Sequence, residues 1–254
     1  MKQKFSTIIL ATAALAIAAK GAVITGSVST FTGPNDLLLD PATNLIAVDI
    51  GGDNASSAVN GVTFLGDGTG TTGSASSGGV TVSSGSTHAI NGWSTAPSYV
   101  GGTPGSAANL GAVMHDIRWS LNPANVSIDI IGLNAGNIYN VQLLFSENGS
   151  TANRRWDIAV DGVLAVDDYS TNGTTASLGS VYSGNFDPGA DGTLNILMGI
   201  EPFAGDPNNT AADPAPVDHN PILHAVIIHA VPEPGSLALL GIGLSSFFLR
   251  RRRR

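Results

Sequence analysis

Chemistry in this chain has to come from few residue types. Cysteine is absent, which excludes a thiol nucleophile, a thiolate zinc site and a disulfide framework. The five histidines are His88, His115, His219, His224 and His229. They show neither His-x-His nor His-Glu-x-x-His spacing, so the usual zinc arrangements are missing. His224 and His229 differ in parity within one expected strand and face opposite ways. Aromatic, carboxylate and guanidinium chemistry remains. Trp93 and Tyr99 lie in a polar stretch, and a flat ring beside fixed polar groups suits the C–H face of a sugar. The alternative is that both rings fold back onto the edge of the core. Arg154 and Arg155 stand at a strand start near Glu147, which favours a carboxylate partner over an anionic ligand. Glu147 with Asp157 is a candidate glycosidase pair, a chemistry that needs two carboxylates about 5–10 Å apart. Strand register makes them equally consistent with a sheet-surface pair. No Gly-x-Ser-x-Gly elbow occurs, so a non-enzymatic protein is expected, with a polysaccharide-active hydrolase as an alternative. The segment Asp187-Pro-Gly-Ala-Asp191-Gly192 and the loop holding Asp206, Asp213 and Asp218 offer oxygen donors of the kind calcium takes. Neither completes a calcium motif, and no other cofactor is expected.

Strands must position these groups. Val126, Ile128 and Ile130 alternate with Ser127 and Asp129. Tyr139, Val141, Leu143 and Phe145 alternate with polar partners, as do Trp156, Ile158 and Val160. This period of two marks half-buried strands, and it assigns Trp156 and Trp119 to core packing. Asp161-Gly162 is a two-residue hairpin turn signal leading into Val163–Val166. Further strands are expected at Val23–Phe31, Asn44–Ile50, Val59–Leu65, Val80–Val82, Met114–Leu121, Leu194–Ile200 and Pro221–Val231. Thr69–Gly79 reads as a surface loop and Gly85–Gly111 as a long loop. Asp167-Asp168 reads as a solvated edge. Ten to twelve short strands, no helix between the ends and no internal repeat predict an all-β protein. The expected form is an antiparallel jelly-roll β-sandwich over residues 23–230.

The two ends are different material. Lys2 and Lys4 precede the apolar run Ile8–Ala19, which ends in small residues; residues 1–19 read as a Sec-type signal peptide, handled by the Sec translocon. At the other end, residues 231–254 carry Val231-Pro232-Glu233-Pro234-Gly235-Ser236, an apolar run to Leu249, and Arg250, Arg251, Arg252, Arg253 and Arg254. Five adjacent cations stay cytoplasmic, which places the body across the membrane. Gly235–Leu249 is 15 residues, a helix of about 22 Å, shorter than the roughly 20 residues of a comfortable span. That suits a short transmembrane helix serving as a sorting signal and transient anchor. Lys20 borders the leader, and the body, residues 23–230, holds three cations, Arg118, Arg154 and Arg155, against eighteen acids, a net charge near −15. Such a body repels nucleic acid.

The tail closely resembles the PEP-CTERM sorting signal of bacterial exported proteins. That resemblance implies an exosortase-type membrane protease as partner and a destination at the cell surface or in extracellular polysaccharide. A second resemblance lies in the body. Asn137–Glu147, then Arg154-Arg155-Trp156-Asp157-Ile158-Ala159-Val160-Asp161-Gly162, looks like the core hairpin of malectin-like domains. Gly136 stands one residue further off than in that pattern, and Trp156 replaces the usual aromatic. Val48–Gly52 resembles the family's opening strand and Gly-Gly turn, and Asn220–Ile228 its closing strand. The resemblance implies carbohydrate binding by loops at one end of the sandwich. No Tyr follows Gly51-Gly52, so the family's aromatics are not matched; its late acidic residue falls at Asp218. Trp93, Tyr99 and Asp218 are therefore the expected carbohydrate-binding residues. A structural surface protein without a ligand site is the competing expectation.

Overall fold

Side-chain parity builds the sheets. In the strand Val126–Ile131 the residues Val126, Ile128 and Ile130 are buried while Ser127, Asp129 and Ile131 are not, the pattern of a strand with one wet face. The computed structural model describes residues 22–52, 57–93, 95–147, 154–171, 174–199 and 218–232. In chain order the strands are β1 (Ala22–Phe31), β2 (Asn44–Asp49), β3 (Ser57–Val59), β4 (Val62–Gly66), β5 (Thr72–Ser77), β6 (Val80–Gly85) and β7 (His88–Ile90). A single α-helix among the described residues, α1 (Ser106–Val113), precedes β8 (Ile117–Trp119), β9 (Val126–Ile131), β10 (Tyr139–Phe145), β11 (Arg155–Val160) and β12 (Val163–Ser170). β13 (Gly179–Asp187), β14 (Leu194–Gly199), β15 (Ile222–Leu223) and β16 (Ala225–Ala230) complete the order.

Two large sheets face one another. One runs β1-β13-β10-β16-β2-β4-β3, the other β12-β11-β14-β9-β6-β5, and β15-β8-β7 form a third, smaller sheet. The long pairings are antiparallel; β2 and β4 run parallel. Between the large sheets Tyr139, Val141, Leu143 and Phe145 of β10 meet Trp156, Ile158 and Val160 of β11 and Ile128 and Ile130 of β9. Burying each such side chain contributes about 1.5–3 kcal/mol. The fold is thus an all-β sandwich of open sheets with almost no helix.

The seven-stranded sheet is also buried on part of its outer face. There Ala47, Phe64, Leu144, Val181, Ala225 and Ile227 pack against Leu37, Tyr99, Leu110, Val113 and Met114. This explains why Leu143-Leu144 and Val226-Ile227-Ile228 are unbroken apolar runs: both faces are covered. A buried ion pair joins β8 to the segment that follows β4. Arg118, fully buried, lies 3.0 Å from Asp67 and donates to the Gly68 carbonyl at 2.9 Å and to that of Gly70. Asp67 also accepts from the Gly51 N–H at 2.7 Å and from the Ser84 hydroxyl. Gly73 is required beside it, because a Cβ there would stand 2.2 Å from the Asp67 carbonyl and 2.3 Å from the guanidinium.

Several expectations are corrected. Thr69–Gly79 is not a loop: Thr72–Ser77 is β5, paired residue for residue with β6. Its side chains are small and polar, and only Ala75 is buried, so it carries no alternation to read. The expected long loop contains α1, whose buried residues are Ser106, Leu110, Gly111 and Val113, only two of them large and apolar, and whose start is Gly105 in the left-handed region. β13 is a further strand, beyond those expected, whose glycines and serines break any apolar alternation. Val59–Leu65 is two strands, β3 and β4, turned by Asn60-Gly61, both at positive φ. Asp161-Gly162 makes the expected turn with both residues at positive φ. Among the described residues no helix is long and apolar enough to cross a membrane. The leader and the apolar tail lie outside the described residues.

Candidate functional site

Four strand ends converge at one end of the sandwich. Glu147 stands two residues past β10, Arg154 just before β11, Thr171 just past β12 and Asp218 shortly before β15. Backbone pairing fixes the register, since Arg154 and Asp218 form a β-bridge and the Arg155 N–H donates to the Asp218 carbonyl at 3.0 Å. The Arg154 Nε lies 2.8 Å from Glu147 Oε1, and its Nη1 lies 3.4 Å from Asp218 Oδ2. The same Nη1 donates to the Asn220 carbonyl at 3.0 Å. The Thr171 hydroxyl donates to Glu147 Oε1 at 3.1 Å, and the Glu147 N–H donates to the Thr174 hydroxyl oxygen at 3.0 Å.

Burial grades the cluster from inside to outside. Glu147 is 2% exposed, whereas the Asp218 side chain is 32% exposed. Burial pushes the Glu147 carboxyl above its usual range; Arg154 and the Thr171 hydroxyl oppose this, and Asp218 adds to it. Its Oε2 has no hydrogen-bond partner among the described residues. His224 lies fully buried, its N–H donating to the Leu144 carbonyl and its carbonyl accepting from Ile50. Its ring nitrogens have no partner among the described residues. Burial, then the charges of Arg154 and His115, push its pKa down to about 3, so the ring is neutral. One guanidinium shared by two carboxylates leaves Asp218 fixed at the rim, where its carboxylate can accept hydrogen bonds from a ligand's hydroxyls.

The expected site residues are not gathered here. Asp218 belongs to the cluster, but Tyr99 is 6% exposed and lies against Phe31, ring centres 5.3 Å apart, under the outer face of the seven-stranded sheet. It packs there because that patch is otherwise bare apolar strand. Trp93 is half-buried against the main core, and its backbone N–H donates to the His115 carbonyl. Trp156 is core, packed with Phe145 and Tyr169; Trp119 is only half-buried and stacks on His88 at 4.1 Å. Glu147 and Asp157 are drawn to different neighbours. Asp157 accepts from the Asp168 N–H at 2.9 Å, and oxygens of Asp157, Asp167 and Asp168 lie within 4.8 Å of one another. Arg155 sits 4.0 Å from Asp168. Asp187 and Asp191 bond the N–H groups of Gly189 and Thr193, holding their own turns; Asp206 and Asp213 lie outside the described residues. Thr171, Thr174 and His224 had no signal in sequence, because hydroxyls and a lone histidine gain meaning only from the strand ends beside them.

The last strand leads directly to the tail. β16 ends at Ala230, and the Val231 N–H donates to the Ile138 carbonyl at 2.9 Å. Val231 and Pro232 are described; Glu233, Pro234 and Arg250–Arg254 lie outside the described residues. Residues 230–254 match the PEP-CTERM protein-sorting motif, and the chain carries that sorting signal. No curated protein matches the chain. Among solved structures it is similar to the ANX2 ectodomain from Arabidopsis thaliana, at 12% identity and a TM-score of 0.49 over 75% of this chain and 50% of that one. The plant receptor-like kinase FER gives 15%, 0.48, 77% and 52% in the same order. A β-glucuronidase 2 from Bacteroides uniformis gives 13%, 0.45, 74% and 18%. This chain spans about half the length of the plant chains it matches.

Proposed function

We propose that this chain is a non-catalytic surface protein, delivered through the Sec translocon, processed at its tail by an exosortase-type membrane protease and held in extracellular polysaccharide. The observation that carries the reading is the sorting motif at residues 230–254, which starts on the last residue of β16. Processing beyond Val231 therefore leaves every described strand in place. The body is residues 23–230, a sandwich of jelly-roll type, with residues 1–19 as the cleaved leader and the apolar run before Arg250 as a short, transient membrane helix. Carbohydrate contact fits a strongly acidic body only if the sugar is neutral or bridged by cations. Deleting residues 231–254 tests the sorting role: the truncated protein should appear soluble in the medium. Unchanged membrane retention refutes it.

A second reading is a structural surface protein with no dedicated sugar site. The burial of Tyr99 against Phe31 favours it, because a covered ring offers no face to a pyranose. Binding of the purified full chain to the producing cell's own polysaccharide separates the two readings.

A further inference from the structure

The outer face of the seven-stranded sheet is divided. One half is apolar and covered by α1 and its flanking segments. On the other half, register sets Asn140 of β10 beside Asn185 of β13, and Ser183 of β13 beside Ser27 of β1. Tyr139, Val141, Tyr182 and Phe186 of the same strands point into the core, so parity turns Ser27, Asn140, Ser183 and Asn185 outward together. Asn140 Nδ2 donates to Ser183 Oγ at 3.1 Å and to Asn185 Oδ1 at 2.9 Å, and the Ser183 hydroxyl donates to Asn140 Oδ1 at 3.3 Å. Around them lies a groove of about 250 Å³ lined by Gly26, Ser27, Asn140, Ser183 and Asn185.

We infer that this groove binds a neutral, hydroxyl-rich polymer, a polysaccharide without charged groups; the inference rests on the polysaccharide reading above. The lining is amide and hydroxyl only. It supplies both donors and acceptors, as a polyol requires. The Asn185 amide protons and the Ser27 hydroxyl make no hydrogen bond to another described residue, so they are available to a ligand. A cation would find no carboxylate in the lining and an anion no guanidinium. The surrounding body, with eighteen acids and three cations, repels polyanions. An apolar ligand would find no ring or aliphatic floor. β1 is the edge of its sheet, so the groove opens sideways and a chain longer than the groove can cross it. Internal bonds hold the Asn140 and Ser183 side chains, which lowers the ordering cost on binding.

The test measures binding of the purified full chain to a soluble neutral β-glucan, an α-glucan, a mannan, alginate as the acidic counterpart, and the producing cell's own polysaccharide. The paired variant Asn140→Ala/Asn185→Ala should weaken binding to a neutral polymer at least ten-fold. Ser27→Leu, at an exposed position, should do the same by filling the groove. Binding that survives both groove changes but is lost with Trp93→Ala or Asp218→Ala overturns the groove and leaves the polysaccharide reading standing. Binding to alginate alone does likewise. No binding to any of the five polymers removes the polysaccharide reading and the groove together.

Discussion

Two buried charges and one buried imidazole show what single residues do here. Arg118 is fully buried and spends its donors on Asp67, Gly68 and Gly70. Arg118→Leu would leave the Asp67 carboxylate buried without its cation, a loss of about 3–5 kcal/mol. Urea unfolding should show that loss, and a companion Asp67→Leu should return part of it; a single variant within 1 kcal/mol of the parent, roughly the scale of an exposed pair, would contradict a stabilising role for the buried pair. His224 gives a pH dependence with a definite sign. Its folded pKa is about 3 against an ordinary 6.5, so the unfolded chain takes up a proton first as pH falls. Its contribution to stability is complete above 6.5 and shrinks on acidification at about 1.4 kcal/mol per pH unit. His229, also pushed down by burial, acts in the same direction. Glu147, pushed up from 4.5, acts oppositely: its contribution is complete below 4.5 and is lost as pH rises through the raised value. Between pH 6.5 and 5, His224→Leu should therefore remove about 2 kcal/mol of acid-induced destabilisation relative to the parent. Equal slopes for the two proteins would show that the ring is not held neutral.

At the scale of elements, the strands that were legible are those whose neighbours differ sharply in polarity. β9, β10 and β11 read directly because each has one apolar row, and the Asp161-Gly162 turn reads because only certain residues accept two positive φ values in succession. β13 did not. Gly179 and Gly184 leave room for the rings of Phe31, Tyr182 and Phe186, and Ser180, Ser183 and Asn185 interrupt the rest. A central strand thus looks like loop, and the outward amides of the groove were invisible with it. Asp218 was legible as a sugar-binding residue only through the malectin-like resemblance, and Thr171 not at all. α1 was hidden for a different reason. Its residues are Ser106-Ala-Ala-Asn-Leu-Gly-Ala-Val113, a weak helix former with Gly and Asn inside, too short to stand alone. Packing makes it a helix, and packing should reveal its value. Leu110 is fully buried in the outer cluster, so Leu110→Ala should lower stability by about 2–5 kcal/mol with the β-sheet circular dichroism unchanged. A change under 0.5 kcal/mol would mean that α1 merely decorates the sheet.

For the whole molecule, charge is segregated by the same boundaries that separate cargo from address. Seven of the eleven cations lie in residues 1–19 and 231–254 and an eighth, Lys20, borders the leader; the full chain has a net charge of −8 and an isoelectric point near 4.8. Each processing step must therefore shift the protein in one direction. Under the proposed function, leader removal would take away Lys2 and Lys4 and no acid. Tail removal takes away Arg250 to Arg254 and, with the whole motif, a single acid, Glu233. The larger shift belongs to the tail. Isoelectric focusing of membrane and extracellular fractions should then resolve two forms, with the released one focusing below 4.8 and below the membrane-held one. Deleting residues 231–254 should give one form that co-migrates with the released protein to within a few residues' charge. A released form that focuses with the membrane-held one has kept its arginines, and removal of the tail would be excluded. A cell lacking the protease should accumulate only the less acidic form, because the five arginines then have no route off the body they direct.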